Sequence, residues 1–299
     1  MAVSPSVAFN DPHINTIPTR DGAEIFTAEV VSNKLIAPHV REITFYAPEL
    51  ASFGITGPDE FFGLLMPQHG QDYTPIPPQA TANIRGHVAS LPSATRPDLR
   101  WYTIRHLNWR DNTLSTQIVT HGVDNVADAK GPGLRWVLSA TPGDKVGIVA
   151  ANGLWHRPSY APFKRAEPQL LVGDATSAPS ILGILEFLDE FHPAELAQTH
   201  VVLVSESSAD HSPEFLNWRS RVASMDIVYA GYSDHVDALL QCLTCKLRVE
   251  RKFDGIRYVY ACCESALAKQ ARRFAKEELG LAPKNIFWSP FWIQGRARP

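Results

Sequence analysis

The stretch RWYTIR, Arg100 to Arg105, packs two arginines, an indole, a phenol and a hydroxyl into six positions. Side chains of an extended segment alternate between faces. Arg100, Tyr102 and Ile104 would then share one face, and Trp101, Thr103 and Arg105 the other. A guanidinium is a planar fork that matches phosphate, and a tyrosine ring stacks on a flat heterocycle. The same six residues also describe a barrel strand with an aromatic in the core and arginines at the rim. Taken alone, that plainer description is the stronger one.

The segments around it are β-rich. From Ala23 to Gly153, short apolar or alternating runs are separated by turn signals. AEIFTAEVVS and VREITFYAPEL come first, followed by FFGLLMP, which Pro67 ends. RWYTIRHLNW and LSTQIVTHG flank RDNT and read as a hairpin. TPGDKVGIVAANG is a turn, a strand and another turn. Proline is dense between residues 67 and 97, which read as loops. Short strands with a single helix predict an antiparallel β-barrel domain over residues 23–153. Residues 1–22 read as a loose arm.

The rhythm changes near Pro168. QLLVG is a compact strand, and SAPSILGILEFLDEF places Ile181, Ile184, Leu185 and Leu188 on one helical stripe. Ser177 is its expected N-cap, with Pro179 in the tolerant first turn. Strand HVVLVSE, helix SPEFLNWRSRVA, strand MDIVYAG, helix HVDALLQCLTC and strand RYVYACC follow. Helix SALAKQARRFAKEELG, stopped by Gly280, and strand NIFWSPFW close the series. Strands alternating with helices predict an α/β domain with a parallel sheet over residues 168–299. The Pro- and aromatic-rich residues 154–167 read as a linker between the domains.

A second piece bears on RWYTIR. Gly131 to Leu138 read GPGLRWVL. A Gly-Pro-Gly turn opening a helix leaves backbone N–H groups free at the positive end of the helix dipole, a seat for a diphosphate. The Lys-Ser/Thr pair of a P-loop is absent. A stacking strand, a phosphate turn and then an α/β domain, in that order, favour a phosphate-bearing aromatic ligand.

These motifs resemble those of the siderophore-interacting protein family, a branch of the ferredoxin-reductase-like flavoproteins, from about Ala28 to Gly295. RWYTIR is similar to the family's R-x-Y-[ST]-x-R flavin motif, VTHG to its HG strand end, and GPGLRW to its G-P-A-S-x-W phosphate helix. LLVGDATSAP is similar to V-G-D-E-T-x-x-P. YVYACCESALAKQARR and FWIQG are similar to the closing strand, helix and Y-W-x-x-G ending. The resemblance implies an FAD-binding barrel, an NAD(P)H-binding α/β domain and reduction of ferric siderophores or other ferric chelates.

By that likeness Arg100 contacts the FAD diphosphate, Tyr102 stacks on the flavin, and Thr103 bonds near its N5, with Ile104 in the same motif. Arg105 sits by the cofactor or the anionic substrate. Arg296 is a second substrate-binding candidate, in a tail that with Arg298 otherwise reads as solubilising. His121 and Gly122 border the flavin. The backbone of Gly131, Pro132, Gly133 and Leu134 holds the diphosphate, and Trp136 packs behind. Asp174, Ala175, Thr176 and Ala178 stand at a strand end where such sheets bind dinucleotides. Cys262 ends another strand and is the residue expected to approach the nicotinamide. Tyr102, Thr103 and Cys262 form the expected catalytic group. Departures are Leu134 for Ser, Ala175 for Glu, Phe61 and Gly63 for His and Lys, and Cys263 for Gly. The last is expected to crowd the nicotinamide.

The cofactor would supply the redox chemistry, so no protein metal ligand or nucleophile is required. The 11 histidines form no H-E-x-x-H, and no G-x-S-x-G is present. A formal net charge of −3 gives no overall attraction to nucleic acid or an anionic membrane. No apolar run reaches the roughly 20 residues of a membrane helix, and the N-terminus lacks a secretion-signal pattern. A cytoplasmic monomer is expected. Cys242 and Cys245 form C-x-x-C on a leucine-patterned helix and read as packing. Glu206 is either a ribose contact or a solvated carboxylate. Lys269, Arg272, Arg273 and Lys276 read as a solvated face. Two alternatives stand beside the reductase: a diaphorase or ferredoxin-linked flavoprotein, and a flavin or siderophore binder without turnover. Nothing in the residues separates NADH from NADPH.

Overall fold

A computed structural model describes residues 24–155 and 167–295. The expected arm, most of the linker, Arg296 and Arg298 lie outside the described residues. The chain divides into two compact units, one ending at Gly153 and the other resuming at Leu154.

The described residues of the first unit form seven strands: β1 (Ile25–Ala37), β2 (Val40–Tyr46), β3 (Phe61–Met66), β4 (Asp98–Thr103), β5 (His106–Asn108), β6 (Thr113–Val119) and β7 (Lys145–Ala150). Their order is β4-β3-β7-β1-β2-β6-β5, with every neighbouring pair antiparallel. Period-two alternation turns Val30, Ile43, Phe45, Phe62, Leu64, Leu114 and Ile148 into one core. Each such buried side chain contributes about 1.5–3 kcal/mol relative to exposure.

The structure departs from the sequence reading in two places here. RWYTIRHLNW is not one strand. β4 pairs with β3, whereas β5 pairs with β6, so the hairpin comprises only β5 and β6. At the break the Ile104 N–H donates to Glu60 O at 2.8 Å, and the Arg105 N–H donates to Ser115 O at 2.7 Å. The backbone stays bonded while changing partner, so the residue pattern carries no mark of the break. The proline-dense region also holds a helix, α1 (Ile84–Ser90), where loops were expected. The Asn83 side chain caps it by accepting from the Gly86 N–H at 3.0 Å. Its Ile84 and Val88 pack with Leu65 and Val149 in a second apolar cluster. With α2 (Pro132–Ser139), the described residues of this unit form two α-helices rather than one.

The second unit is a five-stranded parallel sheet: β8 (Gln169–Asp174), β9 (Thr199–Ser205), β10 (Ser224–Tyr229), β11 (Tyr258–Glu264) and β12 (Ile286–Trp292). The helices are α3 (Ala178–Phe191), α4 (Pro193–Leu196), α5 (Pro213–Leu216), α6 (His235–Arg248) and α7 (Ser265–Glu277). SPEFLNWRSRVA supplies only the single turn α5, passing into a 3-10 turn at Asn217–Ser220. One sheet face, with Val172, Val202, Val259 and Cys263, packs on Leu239 and Leu243 of α6 and on Leu267 and Phe274 of α7. The strand order is β10-β9-β8-β11-β12. The chain therefore runs outward from β8 through β9 and β10, then crosses to β11. That reversal makes a switch point between β8 and β11, where open α/β sheets take ligands at their C-terminal edge. Among the described residues no helix is long and apolar enough to cross a membrane.

Candidate functional site

In the first unit the site begins with α2. Gly131 precedes it at φ +96°, a conformation that favours glycine, and Pro132 opens the first turn. No side chain caps this end, so the amides of Gly133 and Leu134 keep their donors. The rest of the helix is anchored. Trp136 stacks on Phe45 with ring centres 6.3 Å apart. Asn33 Nδ2 donates to the carbonyls of Val137 and Ala140, at 2.9 Å each.

The start of α2 lies against β4. A Cβ added to Gly133 would stand 2.8 Å from the Tyr102 hydroxyl and 3.4 Å from Arg100 Cγ. The fold thus brings together Arg100, Tyr102 and an uncapped helix start. Burial pushes the Tyr102 phenol up to about 12, against the lowering charge of Arg100, so it remains a neutral donor. A cation, free amides and a phenol ring in one place fit FAD: the first two suit its diphosphate and the ring suits the flavin. Thr103 is buried, and its carbonyl accepts from Thr116 Oγ1 at 2.7 Å. At the end of β6, His121 and Gly122 both adopt positive φ, at 53° and 72°, and turn the chain away from the sheet.

In the second unit the switch point is built on Asp174. Its Oδ1 accepts from the Thr176 N–H at 2.9 Å and Thr176 Oγ1 at 2.6 Å. Its Oδ2 accepts from the Glu264 N–H at 2.7 Å and Trp292 Nε1 at 2.9 Å. One buried carboxylate therefore ties together the ends of β8, β11 and β12. The expected Ser177 cap is not formed: that hydroxyl donates instead to the Cys262 carbonyl, while Asp174 caps the short turn before α3. Gly173 is required here because a Cβ would meet Ser177 Cβ at 2.7 Å. Glu264 in turn caps α7, accepting from the amides of Ala266 and Leu267, and holds the Gln294 N–H at 3.2 Å.

The model of the siderophore-interacting FAD-binding domain matches residues 29–155, and that of the siderophore-interacting protein domain matches residues 166–295. The chain belongs to the siderophore-interacting protein family. An uncharacterized protein of Mycobacterium tuberculosis is 29% identical over 286 residues, covering 92% of both chains. The ferric acinetobactin reductase of Acinetobacter baumannii is 21% identical over 209 residues, covering 70% of this chain and 65% of that one. The crystal structure of the siderophore-interacting protein SipS from Aeromonas hydrophila superposes with a TM-score of 0.64 at 21% identity, covering 91% and 93%. Ferredoxin-NADP+ reductase from Plasmodium falciparum shares the fold, with a TM-score of 0.62 at 11% identity, covering 89% and 96%.

Several residues of this siderophore-interacting protein stand elsewhere than the sequence implied. Arg105 is 0% exposed, so its guanidinium is not offered to a dissolved substrate. Ile104 is likewise core, leaving only its backbone for a ligand. Cys262, expected to approach the nicotinamide, is 0% exposed. Cys263 faces the core beneath α6 and α7, so it does not crowd the crevice. Asp174, Ala175 and Ala178 are buried and Thr176 is half-buried with its hydroxyl on Asp174, leaving mainly backbone to face a dinucleotide. Gly63 lies beside Leu99 and Trp101, whose side chains stand 2.9 and 3.1 Å from where its Cβ would be, so a lysine there would have to displace them. Phe61 meets the same indole edge-on at 5.4 Å, and Arg85 lies over it at 5.8 Å. The sequence reading missed Asn33, Glu264 and Trp292 as positioning residues. Only Glu264 had a visible signal: an acidic residue at a strand end just before a helical pattern.

Proposed function

We propose that the chain is an FAD-dependent, NAD(P)H-linked ferric-siderophore reductase that releases iron as Fe²⁺ in the cytoplasm. The observation that carries this reading is the meeting of Arg100 and Tyr102 with the uncapped start of α2 at Gly133. Bound FAD would supply the redox chemistry, taking a hydride from nicotinamide and giving single electrons to Fe³⁺. The protein's part is placement. Arg100 and the amides of Gly133 and Leu134 neutralise the diphosphate, with no hydroxyl from Leu134 to help. Tyr102 offers its ring to the flavin, and Thr103 lies one residue beyond it on β4. The β8–β11 crevice receives the nicotinamide dinucleotide, with the start of α3 toward its phosphates. Hard oxygen ligands hold Fe²⁺ far less well than Fe³⁺, so reduction frees the metal without any protein ligand. The ferric acinetobactin reductase among the relatives supports this substrate class.

The test is anaerobic mixing of flavin-loaded protein with NADH and NADPH, followed by a ferric chelate. Flavin bleaching and then reoxidation with Fe²⁺ release are expected. Arg100→Ala should lower FAD retention and Lys276→Ala should not. Equal effects of the two substitutions would overturn the placement of the cofactor. Electron transfer to a ferredoxin is the second reading. It is favoured by Gly63, which removes a cation expected to attract an anionic chelate, and a ferredoxin in the same assay separates the two.

A further inference from the structure

We propose that Glu206 accepts the adenosine ribose hydroxyls of the electron donor and thereby selects NADH over NADPH. The proposal rests on the nicotinamide reading of the β8–β11 crevice. Glu206 is the first residue beyond β9, the strand that follows β8 in the chain and lies beside it in the sheet. In dinucleotide-binding sheets a carboxylate after the second strand bonds the ribose 2′-hydroxyl, whereas a nearby arginine accommodates a 2′-phosphate. Glu206 is exposed, so its carboxylate is available to a ligand.

The side chain is also held. The Tyr232 hydroxyl donates to the Glu206 carboxylate. Tyr232 is itself wedged, its ring 4.9 Å from His235 and edge-on to Trp292 at 5.9 Å. A carboxylate has about four acceptor sites, so one bond to Tyr232 leaves capacity for a vicinal diol. The field is negative: Asp174 and Asp210 act on Tyr232 together with Glu206. Asp210 is fixed by Ser205 Oγ at 2.7 Å and the Ser207 N–H at 3.0 Å. A doubly charged 2′-phosphate brought here meets like charge. Two cations of α7 are engaged elsewhere, Arg273 with Glu277 at 2.8 Å and Arg272 over Trp288 at 4.9 Å.

A separate observation concerns the same loop. His211 is 3% exposed and stacks on Phe215, yet neither ring nitrogen has a hydrogen-bond partner. Buried polar groups are rarely left so, and a bound group reaching this loop would satisfy one.

The experiment uses the flavin-loaded protein and two readouts. One is anaerobic flavin reduction by NADH and by NADPH. The other is titration with NAD⁺ and NADP⁺ followed by tryptophan fluorescence. The wild type should favour NADH by about 30-fold or more in kcat/KM and bind NAD⁺ the tighter. Glu206→Gln should shrink both ratios to about 5-fold or less, chiefly by tightening the phosphorylated form, with its melting temperature unchanged. Tyr232→Phe should fall between the two. Equal use of both donors, or a preference for NADPH, overturns the role of Glu206 and leaves the reductase reading intact. If neither nucleotide binds or bleaches the flavin, the donor reading is overturned, and this inference with it.

Discussion

Asp174 is buried, and four donors surround its carboxylate. Two converge on each oxygen, so Asn in either orientation sets an amide NH₂ against two donors. Bonds to an ionised acceptor are the stronger kind, and donors left unsatisfied in the interior add their desolvation cost. Asp174→Asn should therefore destabilise the second unit by about 2–4 kcal/mol, lowering its thermal midpoint by roughly 5–10 °C. Tryptophan fluorescence during melting checks this, because Trp292 reports from the hub itself; an unchanged midpoint would remove Asp174 from that role. Gly133 is the corresponding residue of the first unit. Its missing Cβ lets the Tyr102 hydroxyl lie against the start of α2. Gly133→Ala should push that hydroxyl aside and weaken FAD binding roughly tenfold. A flavin-fluorescence titration measures the loss, and circular dichroism should remain unaltered.

At the scale of the elements, periodicity made most strands and the long helices legible, because burying one face imposes a repeat of two or 3.6 residues. It could not reveal the break at Ile104, where the chain exchanges β3 for β6 without losing a backbone bond. Nor did it reveal α1, whose seven residues are too few to display a stripe and whose cap, Asn83, sits among prolines. In the candidate site the meeting of β4 with α2 was legible only as two motifs and a resemblance; their contact belongs to the fold. The parallel strands failed differently. β8, β9 and β11 are buried at every position, so their sequences do not say which side chains face a ligand. Cys262 lies in one such strand. Alkylation of the native protein tests its enclosure. Cys245 is exposed and should react first with iodoacetamide. Cys242 should lag, since burial raises its thiol to about 11 and only the thiolate attacks. Cys262 and Cys263 should react only after denaturation, and mass spectrometry of the native protein finding modified Cys262 would contradict the structure.

For the molecule as a whole, acid is the condition under which the two units should part company. His200 and His211 both lie in the second unit, and burial holds both rings below the usual histidine value, His200 at about 4. His200 is pressed between Ser224, at 2.9 Å from its Nδ1, and the edge of Phe253. The nearby Asp226 charge raises its pKa, but less than burial lowers it, and Lys252 and Lys246 lower it further. Between about pH 6.5 and 4 the unfolded chain takes up a proton that folded His200 refuses. Stability therefore falls as the pH falls through that window, the direction expected of a depressed basic group. For His200 alone the loss between pH 7 and 4.5 is on the order of 2–3 kcal/mol, and His211 adds to it with the same sign. Urea unfolding at the two pH values should thus show the second unit weakening, with Trp218, Trp288 and Trp292 as its reporters. His200→Gln can keep a bond to Ser224 and cannot titrate, so most of the pH dependence should vanish in that variant while stability at pH 7 changes little. If acidification weakened the variant as much as the wild type, the sensitivity would have to come from other groups, and the enclosed ring on β9 would not be its source.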